Sequence, residues 1–205
     1  MKKVENRLDK SLYFKGFKQD LRDEFGLLSE AKIWSEAGEE WAALERAYPG
    51  LPRDRREFVL PAVALYRAIE KRRPGKGGAL LSAHGTRVGG KLARIVHGVT
   101  SLPGVSKMIW KNAARITERM SSEKMGYQRK LYFGQDGTVG VDILACPYFE
   151  LCRELDAPDA AQAICAMDKA YMKGFRYIDY TRDTAVSDGD SCCEYRLRWK
   201  GKRYG

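Results

Sequence analysis

The chain has 205 residues and a mass of 23.2 kDa, enough for one well-buried core or a core with a helical annex. With 44% hydrophobic and 31% charged residues it has a globular composition, and no apolar run approaches the ~20 residues a membrane-spanning helix requires. Lysine and arginine number 37 against 27 aspartates and glutamates; the formal charge of +10 favours anionic partners without saying which.

The N-terminus starts basic, but charged residues recur where a secretory signal would carry its apolar stretch. No export signal is therefore expected, and the five cysteines (Cys146, Cys152, Cys165, Cys192 and Cys193) read as reduced thiols of a cytoplasmic protein. Next along the chain, Phe14, Phe17, Leu21, Phe25 and Leu28 recur at spacings of three and four, predicting an amphipathic helix that ends near Gly26. Ser29 is the expected N-cap of a second helix, with Trp34, Ala37, Trp41, Leu44 and Tyr48 as its stripe. That tryptophan stripe could pack internally or pair two chains, so a homo-oligomer stays open. A third helix is expected over 54–72, where Pro61 either kinks it or marks its first turn.

Arg73-Pro-Gly-Lys-Gly-Gly78 has the composition of a joint and divides a helical segment, 1–78, from the remainder, 79–205. Beyond it, Val88, Leu92, Ile95, Val96 and Val99 form one helical stripe, and Val105, Met108, Ile109, Ala113, Ile116 and Met120 form the clearest helix of the chain. From about Lys124 the pattern changes. Segments 127–133 and 138–145 read as strands around the turn Gly134-Gln-Asp-Gly137; helices are expected over 148–155 and 159–172, and strands over 175–180 and 193–199. The fold class is thus α+β: a helical N-terminal half, then a small antiparallel sheet with helices packed on one face.

Chemistry-bearing candidates are few. Lys71, Arg72, Arg73, Lys76, Arg87, Lys91 and Arg94 meet a single acid, Glu70. Without a helix-turn-helix, zinc-finger or aromatic RNA-binding signature they read as a solvated helix end, and nucleic acid is not an expected partner. Gly85-Thr-Arg-Val-Gly-Gly90 lacks both the Lys-Ser/Thr ending and the preceding strand of a phosphate loop. His84 and His97, thirteen positions apart, form no zinc pattern and read as surface or capping residues. Cys146 ends a strand just before a helix, Cys165 and Asp168 are helical neighbours, and Cys193 begins the last strand. These thiols could converge on a pocket or merely pack as small hydrophobes. They contain no chelating pair, so neither a metal site nor a cofactor is expected.

Four motifs in order are more specific. Ala145-Cys-Pro147, Cys165-Ala-Met-Asp168, Arg182-Asp-Thr184 and Gly189-Asp-Ser-Cys-Cys193-Glu-Tyr-Arg196 together resemble the L-2-amino-thiazoline-4-carboxylic acid hydrolase family over about residues 125–199. The resemblance implies an α+β ligand-binding module, related to vinyl-reductase-type domains, and hydrolytic opening of a cyclic amidine on a route to L-cysteine. It implies a small anionic substrate and a catalytic set of Cys146, Asp168 and Cys193. Cys146 stands where a helix N-terminus would lower its pKa, and Asp168 is placed to move a proton. Arg182 becomes a clamp for the substrate carboxylate, with Cys165 and Thr184 lining the pocket. The alternative expectation is a non-catalytic small-molecule binding or sensor domain of the same fold.

Overall fold

The computed structural model describes residues 6–201; the basic first five residues, with the start of any export signal, and the last four lie outside the described residues. The chain forms two compact units, Met1–Val88 with Leu151–Ala166, and Gly89–Glu150 with Met167–Gly205. No described helix is long and apolar enough to cross a membrane.

The first unit is helical. Helix α1 (Phe17–Phe25) ends at Gly26, whose φ of 78° turns the chain directly into α2 (Leu27–Ala47). The Gly26 carbonyl accepts the Glu30 N–H at 3.0 Å, so Gly26 and not the expected Ser29 opens α2. Helix α3 (Arg53–Glu70) packs along α2 and carries Pro61 buried in its interior rather than at its first turn. Phe14, Phe17, Leu21, Ile33, Leu60 and Leu65 are fully buried or nearly so, each worth roughly 1.5–3 kcal/mol of burial. Trp34 and Trp41 pack internally too, their indole N–H groups held by Asp9 and the Arg56 carbonyl.

The 73–78 joint is tied down, because the Glu70 carboxylate accepts the Gly75 and Gly77 N–H groups at 2.6 and 2.7 Å. Helix α4 (Gly77–Thr100) follows, so the glycines at 85–90 lie in helix, not in a loop. The basic stretch is partly neutralised: Arg72 forks onto Glu36, Lys76 meets Glu24, and Arg87 pairs with Asp20. His84 is neither surface nor cap. It is 1% exposed, ringed by Phe14, Phe17 and Tyr13, with Nε2 2.9 Å from the Tyr13 carbonyl and Nδ1 3.0 Å from Asp20. A buried aromatic cage of this size accepts an imidazole once both ring nitrogens are satisfied. His97, by contrast, is exposed.

In the second unit the expected helix over 105–120 is two helices, α5 (Val105–Lys111) and α6 (Ala113–Met120). Asn112 separates them at φ −105°, ψ 5°, its side-chain amide donating to the Met108 carbonyl at 2.9 Å. The stripe at 88–99 is helical, yet Leu92, Ile95 and Val99 are exposed. Helix α4 packs instead through its small residues: a Cβ on Gly89 would stand 2.4 Å from the Met167 carbonyl, and one on Gly174 as close to that of Ala93.

Strands β1 (Gln128–Phe133) and β2 (Val139–Ala145) form the hairpin around Gly137, at φ 81°. With β3 (Ile178–Thr181) and β4 (Cys193–Trp199) they make an antiparallel sheet of order β1-β2-β4-β3. Val141 pairs with Tyr195 and Ile143 with Cys193 on an apolar face, against whose β2 strand α6 packs. Residues of the alternate register carry ion pairs, including Arg196–Asp142 at 2.7 Å and Lys200–Asp179 at 2.9 Å. The fold class is therefore the expected α+β arrangement. Helices α7 (Pro147–Glu154) and α8 (Gln162–Tyr171) complete it.

Candidate functional site

A cavity of about 310 Å³ lies within the second unit, between α5–α6 and the apolar face of the sheet. Ile109 and Ile116 come from the helices, Val141 and Leu197 from the strands, and Ile178 from β3. One side of this lining is polar, where Asp168 and Tyr171 of α8 meet Tyr195 of β4. The spacing explains the convergence: Asp168 and Tyr171 are one helical turn apart, while Tyr195 and Leu197 share a strand face.

Asp168 Oδ2 accepts the Tyr195 hydroxyl at 2.8 Å and an Arg182 guanidinium N–H at 3.3 Å; the same nitrogen lies 3.1 Å from the Tyr195 hydroxyl oxygen. Arg182 is 7% exposed and is not a lining residue of the cavity. Burial pushes the Asp168 carboxyl above the usual carboxylate range, opposed by Tyr195 and Arg182. Burial pulls Arg182 down, but Tyr195, Tyr180 and Asp168 outweigh it and hold the guanidinium charged. Burial and the Asp168 charge push Tyr171 up to about 12 and Tyr195 well above its ordinary value. Tyr180, 8% exposed, is raised by burial and then by Asp168, and among the described residues its hydroxyl has no hydrogen-bond partner. Such an orphan beside a charged pair is a natural seat for a water molecule.

The loop before β4 explains how Arg182 is held. Thr184 Oγ1 accepts the Glu194 N–H at 3.2 Å, Asp190 accepts that of Ala185 at 2.8 Å, and Cys193 Sγ accepts that of Val186 at 3.3 Å. Gly189, at φ 94°, makes the turn. Thr184 and Cys193 thus fasten the segment that starts at Arg182 to the strand that carries Tyr195.

Cys146 and Cys193 belong to one small cluster with Val141, Ile143 and Ala185. Burial pushes both thiols up. Backbone N–H groups of Phe149 and Tyr148 oppose it at Cys146, and Val186 N–H with the Arg182 charge opposes it at Cys193. Neither lines the cavity. Cys165 lies in the part of α8 that belongs to the first unit, near Tyr13, whose hydroxyl it helps to raise after burial. The structure therefore joins Asp168, Arg182 and, through the loop, Thr184 and Cys193, with Cys146 packed next to Cys193. Cys165 points to other company. Tyr171, Tyr180 and Tyr195 were absent from the sequence-derived set; the three-residue step from Asp168 and the strand alternation are the signals that reach them.

Among the described residues one group has the spacing of metal ligands: Asp142, Cys192 and Glu194 lie with donor atoms within 4.8 Å of one another. Arg196 already pairs with Asp142 and reaches Glu194 at 3.7 Å.

The family model for L-2-amino-thiazoline-4-carboxylic acid hydrolase matches residues 55–197, a stretch that holds the whole cavity and the triad of Asp168, Arg182 and Tyr195. The chain belongs to this family. No curated protein matches the sequence. Among solved structures, an H-NOX protein from S. oneidensis in the Fe(II)NO ligation state aligns at 12% identity over 93% of this chain and 99% of its own, with a TM-score of 0.40. A triple mutant of that protein in the Fe(II) state gives 12%, 94% and 97%, at 0.37. Family membership therefore rests on the sequence match, which these two likenesses do not extend.

Proposed function

We propose that this member of the family hydrolyses a cyclic amidine of the 2-aminothiazoline type, with Asp168 as the proton-transfer group and water as nucleophile. The observation carrying this reading is the Asp168–Tyr195–Arg182 triad at the polar side of an otherwise apolar cavity. Ring carbon 2 is electrophilic, and water attacking it must lose a proton. Asp168 takes that proton and passes it to the ring nitrogen. The second proton goes to the departing ring atom as the carbonyl forms, so one water is added across the opened ring. A carboxyl lifted by burial is suited to both halves of this exchange, because its proton affinity lies nearer to neutrality. Tyr195 and Arg182 are positioning residues: they fix Oδ2 and keep the carboxylate accessible as an ion.

Water is preferred to thiolate because burial pushes both Cys146 and Cys193 up and neither lines the cavity. A non-catalytic binding domain is the second reading, favoured by the largely aliphatic walls. The two are separated by following loss of the ring chromophore of 2-aminothiazoline-4-carboxylate and its carbon-4 derivatives. Turnover that falls by about 10²-fold or more in Asp168→Asn supports the hydrolase. A protein that binds such compounds and opens none of them is a binding domain.

A further inference from the structure

The walls of the cavity say something about the ligand that the family description does not. Of its described lining residues none is lysine, arginine or histidine, and the single formally ionisable carboxyl is Asp168. A carboxylate drawn into this space meets an acid and no exposed cation. Arg182, which bonds two of the lining residues, donates to Asp168 and lies 3.1 Å from the Tyr195 hydroxyl oxygen. Both bonds of the triad to Asp168 end on Oδ2, so Oδ1 is the carboxyl oxygen the triad leaves to a ligand. Away from this point Ile109, Ile116, Val141, Ile178 and Leu197 make most of the surface, with the neutral hydroxyls of Thr117, Ser121 and Tyr127 among them and no charge to pair with a carboxylate. At about 310 Å³ the space also reaches the lower end of the roughly 300–1,000 Å³ range that encloses drug-sized ligands.

We infer that the cavity takes an amphipathic molecule, an N–H donor head seated on Asp168 and an uncharged apolar body lying between α5–α6 and the sheet. This rests on the reading of the cavity as the substrate site, and it makes the substrate an amidine ring bearing an apolar group where the family's named compound bears a carboxylate. The exocyclic amino group of the amidine supplies the head, since its N–H can donate to a carboxylate oxygen while the ring nitrogen stays free to take a proton.

The test uses the full chain and a series of 2-aminothiazolines carrying ethyl, butyl or hexyl at carbon 4, beside the 4-carboxylate and hexanoate. Binding is measured by calorimetry and ring opening in parallel. Affinity is expected to rise about three- to fourfold for each methylene added until the space is filled. The 4-hexyl compound should bind at least tenfold more tightly than both the 4-carboxylate and hexanoate. Ile116→Trp, on a residue exposed enough to accept a larger ring without disturbing the fold, should flatten the dependence on chain length at unchanged thermal stability. A 4-carboxylate that binds as tightly as the alkyl series, or affinity indifferent to chain length, overturns the inference. So does a chain-length dependence that survives in a folded Ile116→Trp protein. The outcomes keep the two proposals apart: turnover of the carboxylate without alkyl binding removes this inference and leaves the hydrolase, whereas tight alkyl binding without any ring opening leaves the inference and removes the hydrolase.

Discussion

Replacing Tyr195 by Phe deletes one oxygen atom and tests the proton-transfer role directly. Asp168 Oδ2 has two donors in the triad, and the tyrosine bond at 2.8 Å is shorter than the Arg182 bond at 3.3 Å. A hydrogen bond to a charged group contributes about 1.5–3 kcal/mol, and here it favours the ionised carboxylate selectively. Its loss makes ionisation harder in a site where burial already raises the carboxyl. If ionised Asp168 takes the proton from water, the acid limb of kcat/KM moves to higher pH in Tyr195→Phe. On that limb the rate then falls about 10- to 100-fold, the same free energy expressed as a ratio. Above the limb, where Asp168 is ionised in both proteins, the two profiles approach one another. The ring of residue 195 keeps its packing beside Tyr180, with centroids 6.0 Å apart, so thermal unfolding should change little. An acid limb that does not move, in a folded variant, refutes Asp168 as the titrating group.

Cys146→Ser should keep ring opening within a few-fold, because a hydroxyl can accept the same Tyr148 and Phe149 N–H groups; abolished turnover would restore the thiol as nucleophile. Gly140→Ala should lower stability by about 1–3 kcal/mol, since a Cβ there would stand 2.3 Å from the Tyr195 carbonyl oxygen and neither strand can yield freely; an unchanged denaturation midpoint contradicts this. His84 is held below its ordinary pKa, first by burial, although Tyr13 and Asp20 oppose this. The unfolded chain therefore binds a proton more readily near pH 6.5, and the stabilising effect of the neutral ring is complete above that pH and lost as pH falls towards the folded value. The denaturation midpoint should drop between pH 7 and 5 in the native protein and drop less in His84→Gln; parallel curves would show that another group titrates.

Local grammar made the sheet legible. Alternation in Val139–Ala145 and the glycine at the hairpin turn predict β2 and its partner, because strand faces and positive φ are properties of a few adjacent residues. The break at Asn112 was not legible, since an apolar stripe continues unbroken across it while the backbone is interrupted by an amide bonded to Met108. The orientation of α4 was hidden for another reason. Periodicity counts large apolar side chains, whereas the second half of this helix packs through the close backbone approach that Gly89 allows, and Leu92, Ile95 and Val99 face outward. His84 shows the limit for single polar residues: a histidine between small residues says nothing of three aromatic rings contributed from a segment some 70 positions earlier.

The same division runs through the site. Asp168, Arg182 and Tyr195 all stand within the family motifs, but a tyrosine on an alternating strand looks like any core aromatic until its hydroxyl finds a carboxylate. The cysteines stand out for their chemistry; in the structure Cys146 and Cys193 pack in one apolar cluster and their sulfurs meet backbone N–H groups. Cys193 accepts the Val186 N–H, Cys146 the first N–H groups of α7, and Thr184 and Asp190 accept backbone donors in the same way. Each such acceptor satisfies a donor that would be costly to bury alone. Together they fix the loop from Arg182 to the start of β4, and that loop is what brings a guanidinium from one strand end and a phenol from the next strand onto one carboxyl oxygen. Motif residues of this kind can serve a reaction without touching the reactant: a displaced loop would withdraw Arg182 from Asp168, and a buried carboxyl without that charge would be harder to ionise and a poorer acceptor of a proton from water.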